Sequence, residues 1–242
     1  MPETNYAPTV VLVHGAFADA GSWAPVTERL LEAGAQVQAI VNPLRSLAGD
    51  SAYVASAMAQ IPGPVLAVGH SYGGASITNA ATTTDNVVGL VFVAGFAPQK
   101  GETLTDIEGT SRDSALGPAL ITAQYPTGSG AATATELYVK PASFREVFAG
   151  DLPEAQAAVL AASQRPVAAA AFEEKTGEPG WKKLPSWAVV ATGDKAAGAD
   201  VVLMMAKRAN ADIVELEGSH LIMISQPDAV TDVILGALRS VG

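Results

Sequence analysis

Cysteine is absent from the 242-residue chain, which excludes disulfide staples, thiolate nucleophiles and cysteine-ligated metals. Histidine is almost as scarce: His14, His70 and His220 are the only three, too few for a histidine-rich metal centre beside any catalytic use. Charged residues make up only 16% of the chain, and basic ones are the rarer kind, 14 Lys and Arg against 24 Asp and Glu, for a formal net charge of −10. That balance disfavours nucleic acid and anionic membrane surfaces as partners. No apolar run reaches the roughly 18 residues that a membrane-spanning helix needs; Val87 to Ala97 is too short and reads as a core strand. The stretch Met1 to Pro8 has neither the basic nor the apolar part of a secretory leader, and the first Lys or Arg is Arg29. A soluble, cytoplasmic protein is therefore expected.

Apolar residues, by contrast, are plentiful at 49%, enough for one large buried core in a chain too short for two ordinary domains. Six apolar runs read as strands, at 9–13, 36–41, 64–68, 87–94, 187–192 and 212–216. Helical spacing separates most of them, as in Trp23 to Ala33, Ser51 to Ile61, Val201 to Asn210 and Ala229 to Leu238. Alternating strands and helices predict an α/β fold: a parallel sheet of about six strands with helices on both faces. Between Pro98 and Pro185 the pattern changes to alanine-rich helical pieces broken by Gly and Pro, with no convincing strand. This divides the chain into a core, residues 1–97 and 186–242, and a helical cap insertion, residues 98–185.

The most specific stretch is Gly69-His70-Ser71-Tyr72-Gly73-Gly74, set between the apolar run Pro64 to Val68 and the small-residue helix Ala75 to Ala81. A serine in a tight strand-to-helix turn is held in strained geometry with its hydroxyl exposed, and the helix N-terminus beyond it favours developing negative charge. By composition alone a G-x-S-x-G match occurs in roughly one such sequence in ten, so the companions decide. Upstream, Thr9 to Val13 ends in His14-Gly15-Ala16-Phe17, a loop that would bring the N–H of Ala16 beside that of Tyr72 to receive an oxyanion. His14, at a strand end, reads as a structural residue holding this loop. Downstream, Gly193-Asp194-Lys195 follows the strand 187–192, and His220 follows the strand 212–216. With His14 and His70 inside the first two motifs, His220 is the candidate general base and Asp194 its orienting acid, with Asp200 the nearest competitor.

The motifs Val-Leu-Val-His-Gly-Ala with Ser22-Trp23 downstream, Gly-His-Ser-Tyr-Gly-Gly, and Gly-Asp-Lys followed by Gly-Ser-His resemble the α/β-hydrolase superfamily. The resemblance is strongest to its small branch of plant methyl esterases and hydroxynitrile lyases, with the bacterial esterases similar to them. It implies Ser71 as nucleophile, His220 as base, Asp194 as acid, and Ala16 and Tyr72 as oxyanion amides, with no cofactor and no metal. The lyases resembling this chain carry threonine where Gly15 stands and lysine where Leu221 stands, so both positions side with the esterases. Two stretches depart from the common pattern: Asn42-Pro43-Leu44-Arg45 replaces an Asp-x-x-Gly-x-Gly loop, and Lys195 to Gly198 replaces an Ile-Pro pair.

The expected activity is a serine carboxylesterase acting on small to medium apolar esters through an acyl-enzyme. Phe17 and Leu221 are expected to line the substrate pocket with large apolar side chains of the cap. No Lys or Arg cluster beside the motifs is positioned to hold an anionic group. The alternatives are a hydroxynitrile lyase-like or cofactor-free perhydrolase activity, and a non-catalytic small-molecule-binding protein on the same fold.

Overall fold

The computed structural model describes residues 7–128 and 130–242; the stretch Met1 to Tyr6, most of the segment read for a leader, lies outside them. In chain order the strands are β1 (Thr9–Val13), β2 (Gln36–Ile40), β3 (Val65–His70), β4 (Val87–Val93), β5 (Leu120–Pro126), β6 (Thr133–Val139), β7 (Val167–Ala168), β8 (Ser186–Ala191) and β9 (Asp212–Leu216). The helices are α1 (Ala24–Glu32), α2 (Leu47–Ala59), α3 (Tyr72–Ala80), α4 (Leu104–Gly109), α5 (Leu116–Ala119), α6 (Pro141–Phe148), α7 (Glu154–Ser163), α8 (Ala169–Glu173), α9 (Ala199–Arg208), α10 (Ile222–Ser225) and α11 (Pro227–Val241).

Six strands form one parallel sheet in the order β2-β1-β3-β4-β8-β9, and each falls within two residues of an apolar run read from the sequence. Every residue of the central strands β1 and β3 is buried, whereas the edge strands β2 and β9 mix buried or half-buried with exposed positions. A strand covered on both faces needs apolar side chains throughout, which is why the central runs are continuous. The chain moves from β1 to β2 on one side and returns to β3 on the other. The crevice at the carboxyl ends of β1 and β3 is thus the topological switch point where open α/β sheets place ligand chemistry. Val13 pairs with Gly69 in this register, bringing the end of the His14-Gly15 strand beside the Ser71 turn.

Helix α2 begins four residues before the expected Ser51 because Ser46 caps it, its Oγ accepting from the Gly49 N–H at 3.0 Å. A larger correction concerns the insertion. Its expected helical pieces are present as α4 to α8, but β5, β6 and β7 add a three-stranded antiparallel sheet where no strand was expected. The reason lies in the residues: β5 and β6 are largely exposed or half-buried and carry Thr, Gln and Ala, so their register comes from cross-strand pairing, which leaves no apolar alternation to read. Among the described residues, no helix is long and apolar enough to cross a membrane.

Glycines make the β3–α3 junction possible. A Cβ on Gly73 would sit 2.3 Å from the Val13 carbonyl oxygen, and one on Gly69 would sit 2.5 Å from the Gly73 carbonyl oxygen. Both obstacles are backbone and cannot rotate aside. Gly236, in the middle of α11, meets only the end of the Arg239 side chain at 3.8 Å. Gly73→Ala is expected to cost about 3 kcal/mol or more. Gly236→Ala should instead stabilise by about 0.5–1 kcal/mol. Urea midpoints of the two variants check the contrast.

Candidate functional site

Ser71 occupies the turn between β3 and α3 with φ 52° and ψ −125°, a left-handed conformation that costs a non-glycine residue of order 1–3 kcal/mol and persists only where its surroundings enforce it. Here the enforcement is backbone hydrogen bonding. The Ser71 N–H donates to the Val93 carbonyl at 3.3 Å, and its own carbonyl accepts from Gly74 N–H at 2.9 Å and Phe96 N–H at 3.0 Å. Gly15 completes the approach, since a Cβ there would fall 2.6 Å from Ser71 Cβ. Tyr72, the first residue of α3, has no intrahelical acceptor for its N–H.

His220 and Asp194 meet behind this turn. His220 Nδ1 lies 2.7 Å from Asp194 Oδ2, and both side chains are only 1% exposed. A carboxylate accepts, so Nδ1 carries the proton and Nε2 is left as the basic nitrogen. The other carboxylate oxygen, Oδ1, accepts from Ala196 N–H at 2.8 Å and Ala197 N–H at 3.0 Å. The Lys195 to Gly198 departure therefore holds the carboxylate through amides, which any residue but proline supplies. Asp200 is engaged elsewhere, accepting from Ser111 Oγ and the Arg112 N–H. Of the two carboxylates weighed from the sequence, Asp194 is the one at the histidine.

The remaining histidines brace the site. His14 Nε2 accepts from Asn42 N–H at 2.9 Å, so Nδ1 carries the proton and donates to the Gly15 carbonyl at 2.9 Å. Burial lowers its pKa to about 4, which keeps it neutral at pH 7. His70 Nε2 donates to the His220 carbonyl at 3.0 Å; burial first, and then the neighbouring His220, push its pKa well down. The Ser219 N–H and Oγ both donate to the Asp151 carboxylate, tying the His220 loop to the α6–α7 connection.

Sequence reasoning missed a second supporting group. The Tyr72 hydroxyl donates to Asp50 Oδ2 at 2.7 Å, and Asp50 also accepts from Arg45 N–H at 3.1 Å. Burial raises the pKa of both Asp50 and Tyr72. Asn42 reaches from the departing loop to the His14 carbonyl and Ser76 Oγ. The one available signal was Asp50 itself, a carboxylate within the apolar, small-residue run of α2.

Ser71, His220, Ala16 and Phe17 line one cavity of about 10 Å³, the space of roughly a single water. Leu104, Phe148 and Phe172 from the insertion close it, together with Phe96 and Leu116. Phe17, on the cavity wall, stacks edge-on against Phe148 at 5.9 Å and Phe172 at 6.3 Å. Leu221 does not join it. That side chain faces a second small cavity with Phe144, Leu160 and Gln164, which Phe17 also lines, because the chain turns into α10 directly after His220. The enclosure is also not wholly apolar, since Glu108 lines it.

The sequence profile of the alpha/beta hydrolase family matches residues 10–233, and the chain belongs to that family. Among solved structures it is similar to polyneuridine aldehyde esterase, with TM-score 0.80, 21% identity, and 96% of this chain and 99% of that one covered. A methylesterase from Arabidopsis gives TM-score 0.78 at 19% identity, covering 96% of this chain and 99% of that one. Tomato methylketone synthase I, solved with 2-tridecanone, gives 0.80 at 20% identity, covering 98% and 100%. No curated protein matches the chain.

The buried neutral histidines make stability depend on pH. A histidine with its folded pKa below the unfolded value takes up its proton first in the unfolded chain, so stability is full above about pH 6.5 and is lost as pH falls toward about 4. For His14 alone the loss between pH 7.5 and pH 5 should be about 2 kcal/mol, and His70 adds to it. Urea midpoints at the two pH values measure the slope in the wild type and in His14→Gln, which should be shallower by about that amount. Parallel slopes would mean that His14 is not buried neutral.

Proposed function

We propose that the protein is a serine carboxylesterase that hydrolyses small to medium, largely apolar esters without a cofactor. The observation that carries this reading is that Ser71, in a strained left-handed turn, shares one cavity with His220, whose ring is held at 2.7 Å by Asp194. Ser71 Oγ attacks the ester carbonyl carbon while His220 Nε2 takes its proton. The Ala16 and Tyr72 amides receive the oxyanion, and Asp194 stabilises the imidazolium. Collapse of the intermediate breaks the bond to the alcohol, which leaves with the proton from His220. Water, deprotonated by His220, then cleaves the acyl-serine and restores the hydroxyl.

Two of the structural relatives are named as esterases and one as a ketone synthase, so the fold by itself does not choose the reaction. Gly15 and Leu221 stand where the lyases resembling this chain carry threonine and lysine, and the lack of a lysine after His220 to stabilise a leaving anion favours ester hydrolysis over cyanohydrin cleavage. In this reading residues 98–185 act as a cap over the serine, an assignment supported by the Leu104, Phe148 and Phe172 side chains on the cavity wall. A cytoplasmic location belongs to the same reading and rests on composition.

Ser71→Ala should abolish both ester turnover and labelling by a fluorophosphonate. Labelling that survives in the folded variant would remove Ser71 from the chemistry, and a wild type that binds esters without turnover would support the binding-protein alternative. Asp194→Asn should lower kcat by about two to four orders of magnitude, because the amide cannot stabilise the imidazolium. Asp200→Asn should change it far less, and the reverse order would reassign the acid.

The cavity at Ser71 also limits the acyl group. Across p-nitrophenyl esters, kcat/KM is expected to peak at short acyl chains and fall for long ones, since space of about 10 Å³ must be enlarged by moving Phe17, Phe148 or Phe172. A maximum at long chains would overturn this account of the acyl site and leave the triad untouched.

A further inference from the structure

Among the described residues, Glu108 is the only carboxylate on the wall of the Ser71 cavity, and it is half-buried there. It lies in α4, and its Oε1 accepts from Ser114 Oγ at 3.0 Å. None of the ion pairs among the described residues includes it. Burial raises its pKa, an effect that Ser114 and the Gly117 backbone only partly offset. A carboxylate held in that state gains most from a cation brought to it in the water-poor cavity.

Glu108 and Phe172 also line a much larger groove of about 710 Å³ that runs between α4, α8 and the β5–β6 sheet, well within the range of small-molecule sites. These two residues stand between the groove and the cavity and form part of the wall of each. Its walls are mainly small and apolar, with Leu120, Leu137 and Tyr125, and its second charge, Glu173, is also negative. No Lys, Arg or His lines it. The guanidinium of Arg45 lies over the ring of Tyr125, one of the groove residues, at 4.2 Å and is paired with Glu136 at 2.8 Å.

We propose that Glu108 sets the charge selectivity of the active site: the ester's alcohol portion leaves the Ser71 cavity past Glu108 and Phe172 into the groove, and a cationic ammonium on that portion is preferred over a neutral or anionic group. The inference rests on the esterase reading and adds its substrate class, an ester of an amine-bearing, otherwise apolar alcohol.

Three acetate esters of similar size test it: 2-(trimethylammonio)ethyl acetate, its uncharged isostere 3,3-dimethylbutyl acetate, and the acetate ester of 4-hydroxybutanoate. In the wild type kcat/KM should favour the cationic over the uncharged ester by about tenfold, with the anionic ester at least about tenfold below the uncharged one. Glu108→Gln keeps an acceptor for Ser114 and should bring the three esters to within about threefold of one another. On the wild type alone, added salt should narrow the cation preference. Equal rates for the three esters in the wild type, or an unchanged ratio in Glu108→Gln, would overturn the assignment while leaving the esterase reading in place. Failure to turn over even the uncharged ester would instead overturn the esterase reading and the inference with it.

Discussion

The close approach of three backbone segments at the β3–α3 junction is the constraint on which the rest of the site depends. The end of β1, the Ser71 turn and the segment after β4 meet there at distances that leave no room for side chains at Gly15, Gly69 or Gly73. The approach forces Ser71 to positive φ, and the carbonyl and amide partners from Val93, Gly74 and Phe96 keep it there. Strain of that kind has to be enforced by neighbours, because left alone the turn would relax toward ordinary φ and withdraw the hydroxyl. Phe17 at φ 60° and Ala94 at φ 42° flank the same junction, so three of the five positive-φ non-glycine residues among the described residues lie around it.

Around that point the titratable groups divide into two sets by environment. His14 and His70 are buried and held neutral, with each ring committed to a backbone carbonyl. His220 is equally buried, but its ring faces a carboxylate on one side and the Ser71 cavity on the other. Identical side chains are thereby given different work: two brace the loops that carry Ala16 and His220, and the third is placed to move a proton. Asp50 beneath Tyr72 and Asp151 beneath Ser219 extend the bracing to α2 and to the insertion. The insertion thus grips the histidine loop as well as closing over the serine. A substitution on its outer face has a route to His220 that does not pass through the pocket.

The sheet and the residues of the candidate site were legible in the sequence because each leaves a local mark. Continuous apolar runs mark buried parallel strands, and Gly-x-Ser-x-Gly marks a turn that only small neighbours permit. With three histidines in the chain, assigning two to local motifs left His220 for the base. The chain order Ser71, Asp194, His220 followed from strand positions, and the 2.7 Å contact between Asp194 and His220 agrees with it. The sequence favoured Asp194 over Asp200, and the folded chain shows Asp194 turned toward the histidine while Asp200, six residues on, accepts from Ser111 and Arg112.

What the sequence determined by itself were the features set by near neighbours: the strand runs, the glycine-framed serine turn, and the absence of thiol and histidine-cluster chemistry. The tertiary structure decided what depends on residues far apart in the chain. It paired β5 with β6 despite their polar surfaces, placed Phe17 between two cavities of which Leu221 reaches only the second, and put Glu108 on the wall of the cavity that holds Ser71. A solvated carboxylate and one on an active-site wall look the same in a sequence, because their difference lies in which distant segments exclude water from them. Helix α4 carries Glu108 to that wall one turn after Leu104, which lines the same cavity, while Leu104 and Ile107 are buried, and no local pattern states what packs against them.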